Sequence, residues 1–142
     1  MTHKYIGTKI ITAWSALGKD GAPGYGVKYE DGYTSWSPKE TFEAAYRDIE
    51  GPVQSLTFGD VVHMLKLGKK AQRAGWNGKG MFVFLVNGSK FNVSRAPLLG
   101  IFPEGMEINY RPHIDIKNVD GSISTWVPSI GDVMAEDWLI VE

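Results

Sequence analysis

Residues Thr57–Val86 read TFGDVVHMLKLGKKAQRAGWNGKGMFVFLV, and the punctuation of this run sets the class of fold. Thr57 with Asp60 three positions on has the spacing of a helix cap, in which a side-chain oxygen accepts a free backbone N–H of the first turn. Phe58, Val61, Val62 and Leu65 then fall on one helical face, and Gly68 marks the end of the helix. A short strand over Ala71–Ala74 follows, then a loop broken by Gly75, Gly78 and Gly80, then the dense apolar strand Met81–Val86. One capped helix followed by strands joined through glycine loops implies an α+β domain rather than alternating βαβ units.

Outward from this run the pattern is one of strands and turns. Asn87-Gly88 is a hairpin turn pair, and the expectation is that Met81–Val86 folds back there onto Lys90–Ser94. A loop carrying Pro97, Gly100, Pro103 and Gly105 precedes a strand over Glu107–Lys117. Asp120-Gly121 turns that strand into Ser122–Val127, Pro128-Ser129 caps one helical turn, and Asp137–Val141 forms a last strand. Toward the N-terminus, Glu50-Gly51-Pro52 interrupts the pattern and divides the chain into a module over 1–52 and a second domain over 53–142. Within the first module, residues 4–13 read as a strand and Tyr25–Trp36 as a hairpin turning at Asp31-Gly32. Ser37-Pro38-Lys39-Glu40 reads as a capping box opening a helix to about Asp48, with Phe42, Ala45, Tyr46 and Ile49 on one face. The expected architecture is therefore α+β, mostly antiparallel sheet with one main helix per half.

Composition narrows the function. Apolar residues at 43% and charged residues at 22% are those of a chain that folds. A formal net charge of -1 with no basic run argues against long nucleic acid, whose binding rests on displacing counterions from many phosphates. A small ligand with few phosphates stays open. The absence of cysteine removes disulfides, thiol nucleophiles and thiolate metal sites. Met1-Thr2-His3-Lys4 does not open a signal peptide and no long apolar run occurs, so a cytoplasmic protein without membrane contact is expected.

Catalytic constellations are sparse. The histidines at 3, 63 and 113 have no helical zinc spacing, so no metal is expected. His113 and Asp115 share one strand face and could act as base and acid, although a sheet-face histidine with a satisfied ring is the plainer reading. Asp132 and Glu136-Asp137 could form a carboxylate pair or merely serve a helix end and a turn. The loop over residues 75–80 lacks the spacing and the following helix of a dinucleotide or phosphate loop. Its backbone N–H groups could still cradle an anion, or form a plain turn. No catalytic residue and no cofactor is assigned.

Four segments together carry a resemblance: Arg73-Ala74-Gly75-Trp76-Asn77-Gly78-Lys79-Gly80-Met81-Phe82, Ile108-Asn109-Tyr110-Arg111-Pro112-His113-Ile114-Asp115, Thr125-Trp126-Val127-Pro128-Ser129, and Asp132-Val133-Met134-Ala135-Glu136-Asp137-Trp138. In this order and spacing Ser55–Glu142 resembles the second Thoeris anti-defence family, phage proteins that sequester immune nucleotide signals. The resemblance implies a homo-oligomer with ligand sites between subunits. It implies glycocyclic ADP-ribose of Thoeris defence as ligand, with cyclic dinucleotides of the CBASS system as a further class. Residues 1–50, with Gly32-Tyr33-Thr34-Ser35-Trp36-Ser37-Pro38-Lys39-Glu40, resemble an N-terminal module found on some phage proteins and missing from short family members; no chemistry is assigned to it.

A nucleotide sponge needs stacking faces, phosphate donors and base-edge readers. Trp76 in the glycine loop and Trp126 at the edge of a strand are the candidate platforms, unless they fold back onto the core, while Trp138 reads as core. Arg73, Lys79, Arg111, the Ser129 hydroxyl and the N–H groups around Gly78 are candidate phosphate donors, the arginines being equally readable as solvated strand ends. Asn77 and Asn109 could read a base or ribose edge and Asp132 could accept from a ribose hydroxyl or an amine, with turn and cap roles as their alternatives. Tyr110 lies between Asn109 and Arg111 and belongs to the same candidate set. One sheet face cannot enclose a dinucleotide-sized ligand, so a dimer-based assembly, a tetramer, is expected. The rival readings are an enzyme that cleaves cyclic nucleotides through His113 and Asp115, and a structural component of the virion or its assembly.

Overall fold

The computed structural model describes residues 1–142, which divide into two compact units, Met1–Arg47 and Asp48–Glu142. In the first unit β1 (Thr12–Ser15), β2 (Gly24–Lys28) and β3 (Thr34–Pro38) form an antiparallel sheet in that order, followed by α1 (Lys39–Ala45). The hairpin turns at Asp31-Gly32. Gly32 takes φ +90° and donates its N–H to the Tyr29 carbonyl at 2.9 Å, a conformation that costs glycine no Cβ clash. Val27 is buried, and the Tyr25 ring stacks on Phe42 of α1 at 4.1 Å, so one face of the sheet is closed by the helix.

Three expectations for this unit are corrected. The first strand begins only at Thr12, because Thr12 pairs with Lys28, where β2 ends, and no strand pairs with the preceding residues. Ser37 does not cap α1. It is held in β3 opposite Tyr25, and Pro38, with φ -58° and ψ 147°, takes the N-cap position without a side-chain hydrogen bond. The helix ends at Ala45 because Tyr46 is extended; Ile49 packs instead against the core of the second unit.

The second unit contains α2 (Phe58–Lys66), β4 (Lys70–Arg73), β5 (Phe82–Val86), β6 (Ser89–Asn92), β7 (Glu107–Tyr110), β8 (His113–Lys117), β9 (Ile123–Thr125), α3 (Ile130–Met134) and β10 (Trp138–Val141). A five-stranded antiparallel sheet runs β10-β4-β5-β8-β9, and β6 pairs with β7 apart from it. The α+β class and the predominance of antiparallel sheet are as expected. The capping box of α2 is formed, with Thr57 Oγ1 accepting from the Asp60 N–H at 3.2 Å and Asp60 Oδ2 accepting from the Thr57 N–H at 3.0 Å. Val61 and Leu65 of α2 meet Leu56, Ala71, Val83, Ile116 and Trp138 in one buried cluster. Alternate residues of β5 and β8 supply that cluster, and the intervening residues face away from it.

The expected hairpin at Asn87-Gly88 is not formed. Val86 faces His113 and Ser89 faces Tyr110, so the register of β5 on β8 continues unbroken into β6 on β7. The two pairs are one antiparallel ribbon bent at Asn87-Gly88 on one side and Arg111-Pro112 on the other. A Cβ on Gly88 would lie 2.6 Å from the Tyr110 carbonyl oxygen, which shows how closely the bend brings the two backbones together. Pro112 has no N–H to give to a ladder, so it suits the gap between β7 and β8 and splits the expected strand Glu107–Lys117.

Candidate functional site

The glycine loop after β4, the segment after β9, the first turn of α2 and the start of β10 converge at one end of the second unit. Their aromatic side chains form a cluster around Trp138, which is fully buried. Trp76 stands edge to face with Trp138 at 5.3 Å and 76°, and Trp126 with Trp138 at 6.1 Å and 82°. Trp76 and Trp126 meet each other at 6.4 Å and 68°. Phe58 completes the group at 5.6 Å from Trp138 and 6.2 Å from Trp126. Trp76 and Trp126 are half-buried: they lean on the core and keep part of each ring open. Edge-to-face packing fixes ring planes as well as positions, since each positive ring edge meets a negative face.

A polar frame holds the same corner. Arg73 donates from Nε to Asp137 Oδ1 at 2.9 Å and from Nη1 to Asp132 Oδ1 at 3.0 Å. Asp137 Oδ2 accepts the Gly75 N–H at 3.0 Å, and the Trp76 N–H is taken by the Arg73 carbonyl at 3.2 Å. Asp132 also closes the capping box of α3, accepting the Ser129 N–H at 3.0 Å while the Ser129 hydroxyl oxygen accepts the Asp132 N–H at 3.0 Å. The Trp138 indole N–H donates to the Asp132 carbonyl at 2.9 Å. One residue, Asp132, thus ties together β4, α3 and Trp138 through its carboxylate and its backbone carbonyl.

The charges respond accordingly. The hydrogen bonds Arg73 donates to Asp137 and then to Asp132 raise its guanidinium above its ordinary value. Asp137 lies below the usual carboxylate range, chiefly through the Arg73 hydrogen bond. For Asp132 partial burial pushes upward, but the Ser129 N–H, Arg73, the Ser129 hydroxyl and Trp76 outweigh it, and the group is lowered. A single cation between two ionised carboxylates leaves the corner with a net negative charge, which suits hydrogen-bond donors of a ligand better than its phosphates.

The candidate residues therefore separate. Trp76, Trp126, Arg73, Ser129 and Asp132 are brought together. Arg73 is not a solvated strand end: Asp137 takes its Nε–H and Asp132 one Nη1–H, which fixes the guanidinium and uses two of its five N–H donors. Asn77 and Lys79 stay exposed in the glycine loop, and Gly78 sits where a Cβ would meet Met81 Sδ at 2.3 Å and Val119 Cγ2 at 2.4 Å. Gly78 thus serves close packing of the loop. Asn109, Tyr110 and Arg111 are exposed at the bend of the ribbon, with the Tyr110 ring edge-on to His113 at 5.1 Å rather than against the tryptophans. The roles of Phe58 and Asp137 were missed: Phe58 reads in sequence as one more residue of an apolar helix face, and only the proximity of β10 to β4 reveals why Asp137 matters.

His113 Nε2 lies 3.4 Å from Asp115 Oδ1, and its Nδ1 lies 3.2 Å from the Arg111 carbonyl oxygen. The approach to Asp115 is close enough for an ion pair yet not aligned as a hydrogen bond, and Asp115 Oδ1 is buried without a hydrogen-bond partner. No group of three or more His, Asp or Glu side chains is arranged to hold a metal ion, and no helix is long and apolar enough to cross a membrane.

What this geometry defines is a small α+β domain whose distinctive surface is a cluster of tryptophans at the sheet end, framed by an Arg–Asp–Asp network. Residues 56–141 match the family described as the Thoeris anti-defense 2-like domain. The chain belongs to that family. It is 44% identical over 89 residues to "Thoeris anti-defense 2" of Bacillus phage SP01, an alignment covering 61% of this chain and 94% of the relative. Its role is that of a phage anti-defence protein acting against Thoeris.

Proposed function

We propose that the protein binds a cyclic nucleotide immune signal, glycocyclic ADP-ribose or a related cyclic dinucleotide, and holds it intact rather than cleaving it. The observation that carries this reading is the pair of half-open rings Trp76 and Trp126, 6.4 Å apart and braced from below by buried Trp138. Rings with fixed planes lose little conformational freedom when a base stacks on them, and each stacked base contributes about 1–3 kcal/mol. Asp132, held ionised in the same frame, is an acceptor for a ribose hydroxyl or an exocyclic amine. Asn77 and Asn109 are the base-edge readers in this reading, and Lys79 and Arg111 supply the phosphate contacts. The part of Arg73 is to position Asp132 and Asp137.

Nanomolar holding requires about -12 kcal/mol. Two stacks and a few charged hydrogen bonds, roughly 1.5–3 kcal/mol each, reach it only where water is excluded. The cluster is open on one side, so a second copy is needed to close it, and a homo-oligomer, a tetramer, is the assembly proposed. Calorimetry against a panel of cyclic nucleotides tests the binding, and light scattering tests the assembly. Ligand incubated with the protein and recovered after denaturation is expected unchanged; a linear product would instead assign a cleaving role to His113 and Asp115.

A further inference from the structure

Residues 1–11 form no regular secondary structure, and no hydrogen bond ties them to the rest of the chain. They are not a polar tail. Tyr5, Ile6, Thr8, Ile10 and Ile11 are strand formers, with Tyr5 89% and Ile6 100% exposed. The segment runs directly into β1, an edge strand whose outer side has no neighbour, and β2 ends at Lys28 opposite Thr12. Local preference for strand therefore goes unmet for want of a partner rather than for want of propensity.

We propose that Tyr5–Ile11 is a pairing strand for the same segment of a second copy of this chain, antiparallel and two-fold about Thr8. Self-pairing in that register sets Tyr5 opposite Ile11 and Ile6 opposite Ile10, the aromatic–aliphatic and aliphatic pairs that stabilise adjacent strands. The charged residues are equally well placed. Lys9 faces Gly7 and Lys4 faces Thr12, and the Lys9 ammonium is already drawn over the Tyr29 ring at 4.6 Å. Sliding the axis to Lys9 would set two lysines face to face, and sliding it to Gly7 would set Tyr5 against Lys9 and Ile6 against Thr8, so charge and apolar pairing together select the register about Thr8. In extended backbone Ile6 and Ile10 share the face of Trp14, which lies flat over Gly26 so closely that a Cβ there would meet its ring at 2.3 Å. The apolar stripe then runs from the arm across the existing sheet. A segment complementary to itself closes on a second copy by a two-fold axis, which an unrelated partner would have to match by chance. This pairing lies in the first unit and does not depend on the nucleotide reading.

The absence of cysteine makes the test direct. In full-length protein, Thr8→Cys places a thiol on the proposed axis, opposite itself, within the Cα separation a disulfide spans. Lys19→Cys places one on an exposed turn of the same unit as a collision control. Paired strands present an effective concentration of order millimolar, so under mild oxidation of micromolar protein T8C is expected to cross-link on the order of 100-fold faster than K19C. Adding Ile6→Asp and Ile10→Asp to T8C should bring its rate down to that of K19C while each copy stays folded, because both residues are exposed in the single chain. T8C cross-linking no faster than K19C overturns the proposal, as does rapid cross-linking that survives the aspartates.

Discussion

Arg73 and Asp132 stand fifty-nine residues apart in the chain and 3.0 Å apart in space. Through that contact a strand end, a helix cap and the rim of a tryptophan cluster become one object: the Asp132 carboxylate meets Arg73 and Ser129, and its backbone carbonyl receives the indole of Trp138. The predictions below follow from that frame and from the bend in the ribbon beside it.

Arg73→Met removes the cation and leaves two carboxylates facing each other with part of their hydrogen bonds unmade. The expected loss is about 2–3 kcal/mol. For a unit of this size that is a fall in Tm on the order of 10–20 °C, readable by calorimetry. An unchanged Tm would mean that the network does not hold the corner.

The same carboxylates give the stability a pH dependence of definite sign. Asp132 and Asp137 are lowered in the folded state, so between the folded and unfolded values the unfolded chain binds more protons. Their contribution is fully present above the ordinary carboxylate value of 3.8 and is lost as pH falls through the folded values. Urea midpoints should hold steady from neutral pH down to about 5 and drop steeply below about 4. In Asp132→Asn with Asp137→Asn the baseline is lower and that acid limb is shallower.

Trp76→Ala is expected to weaken nucleotide binding by roughly tenfold to a hundredfold, the loss of one stacked base. Because Trp76 also leans on the core, the variant should lose some stability as well; Trp76→Phe retains most of the packing and separates the two effects. Trp138→Ala, which empties a fully buried site, should cost about 3–5 kcal/mol whether or not ligand is present. Binding that persists in Trp76→Ala at wild-type strength would move the ligand site elsewhere.

Gly88→Ala drives a methyl group to 2.6 Å from the backbone oxygen of Tyr110, an obstacle that no side-chain rotation removes. A loss of about 1–3 kcal/mol is expected, with faster amide exchange in β6 and β7 than in β5 and β8. The opposite pattern would show that the bend is not the weak point of the ribbon.

Much of this was legible beforehand because it is written locally. The caps Thr57/Asp60 and Ser129/Asp132 act within one helical turn, and Asp31-Gly32 and Asp120-Gly121 act within one β-turn, so neighbouring residues carry the whole signal. The Ser37 cap fails for a non-local reason: β2 holds Ser37 in a strand before the helix can recruit it. Asn87-Gly88 fails likewise, since a turn pair cannot reveal that β8 and β7 arrive from further along the chain and claim both flanking strands. Arg73 carries no mark in sequence to say whether it will meet a phosphate or two aspartates.

By itself the sequence determined the class of fold, the caps of α2 and α3, the family and the tryptophans that stand out as chemistry. Only the tertiary structure decided that Trp76 and Trp126 share one corner with Trp138, that Arg73 is occupied by Asp132 and Asp137, and that the ribbon bends rather than turns. The division has a physical cause. Caps, turns and periodicity are short-range properties of the backbone, whereas ring packing and ion pairing join residues that meet only after strands far apart in the chain have found their register.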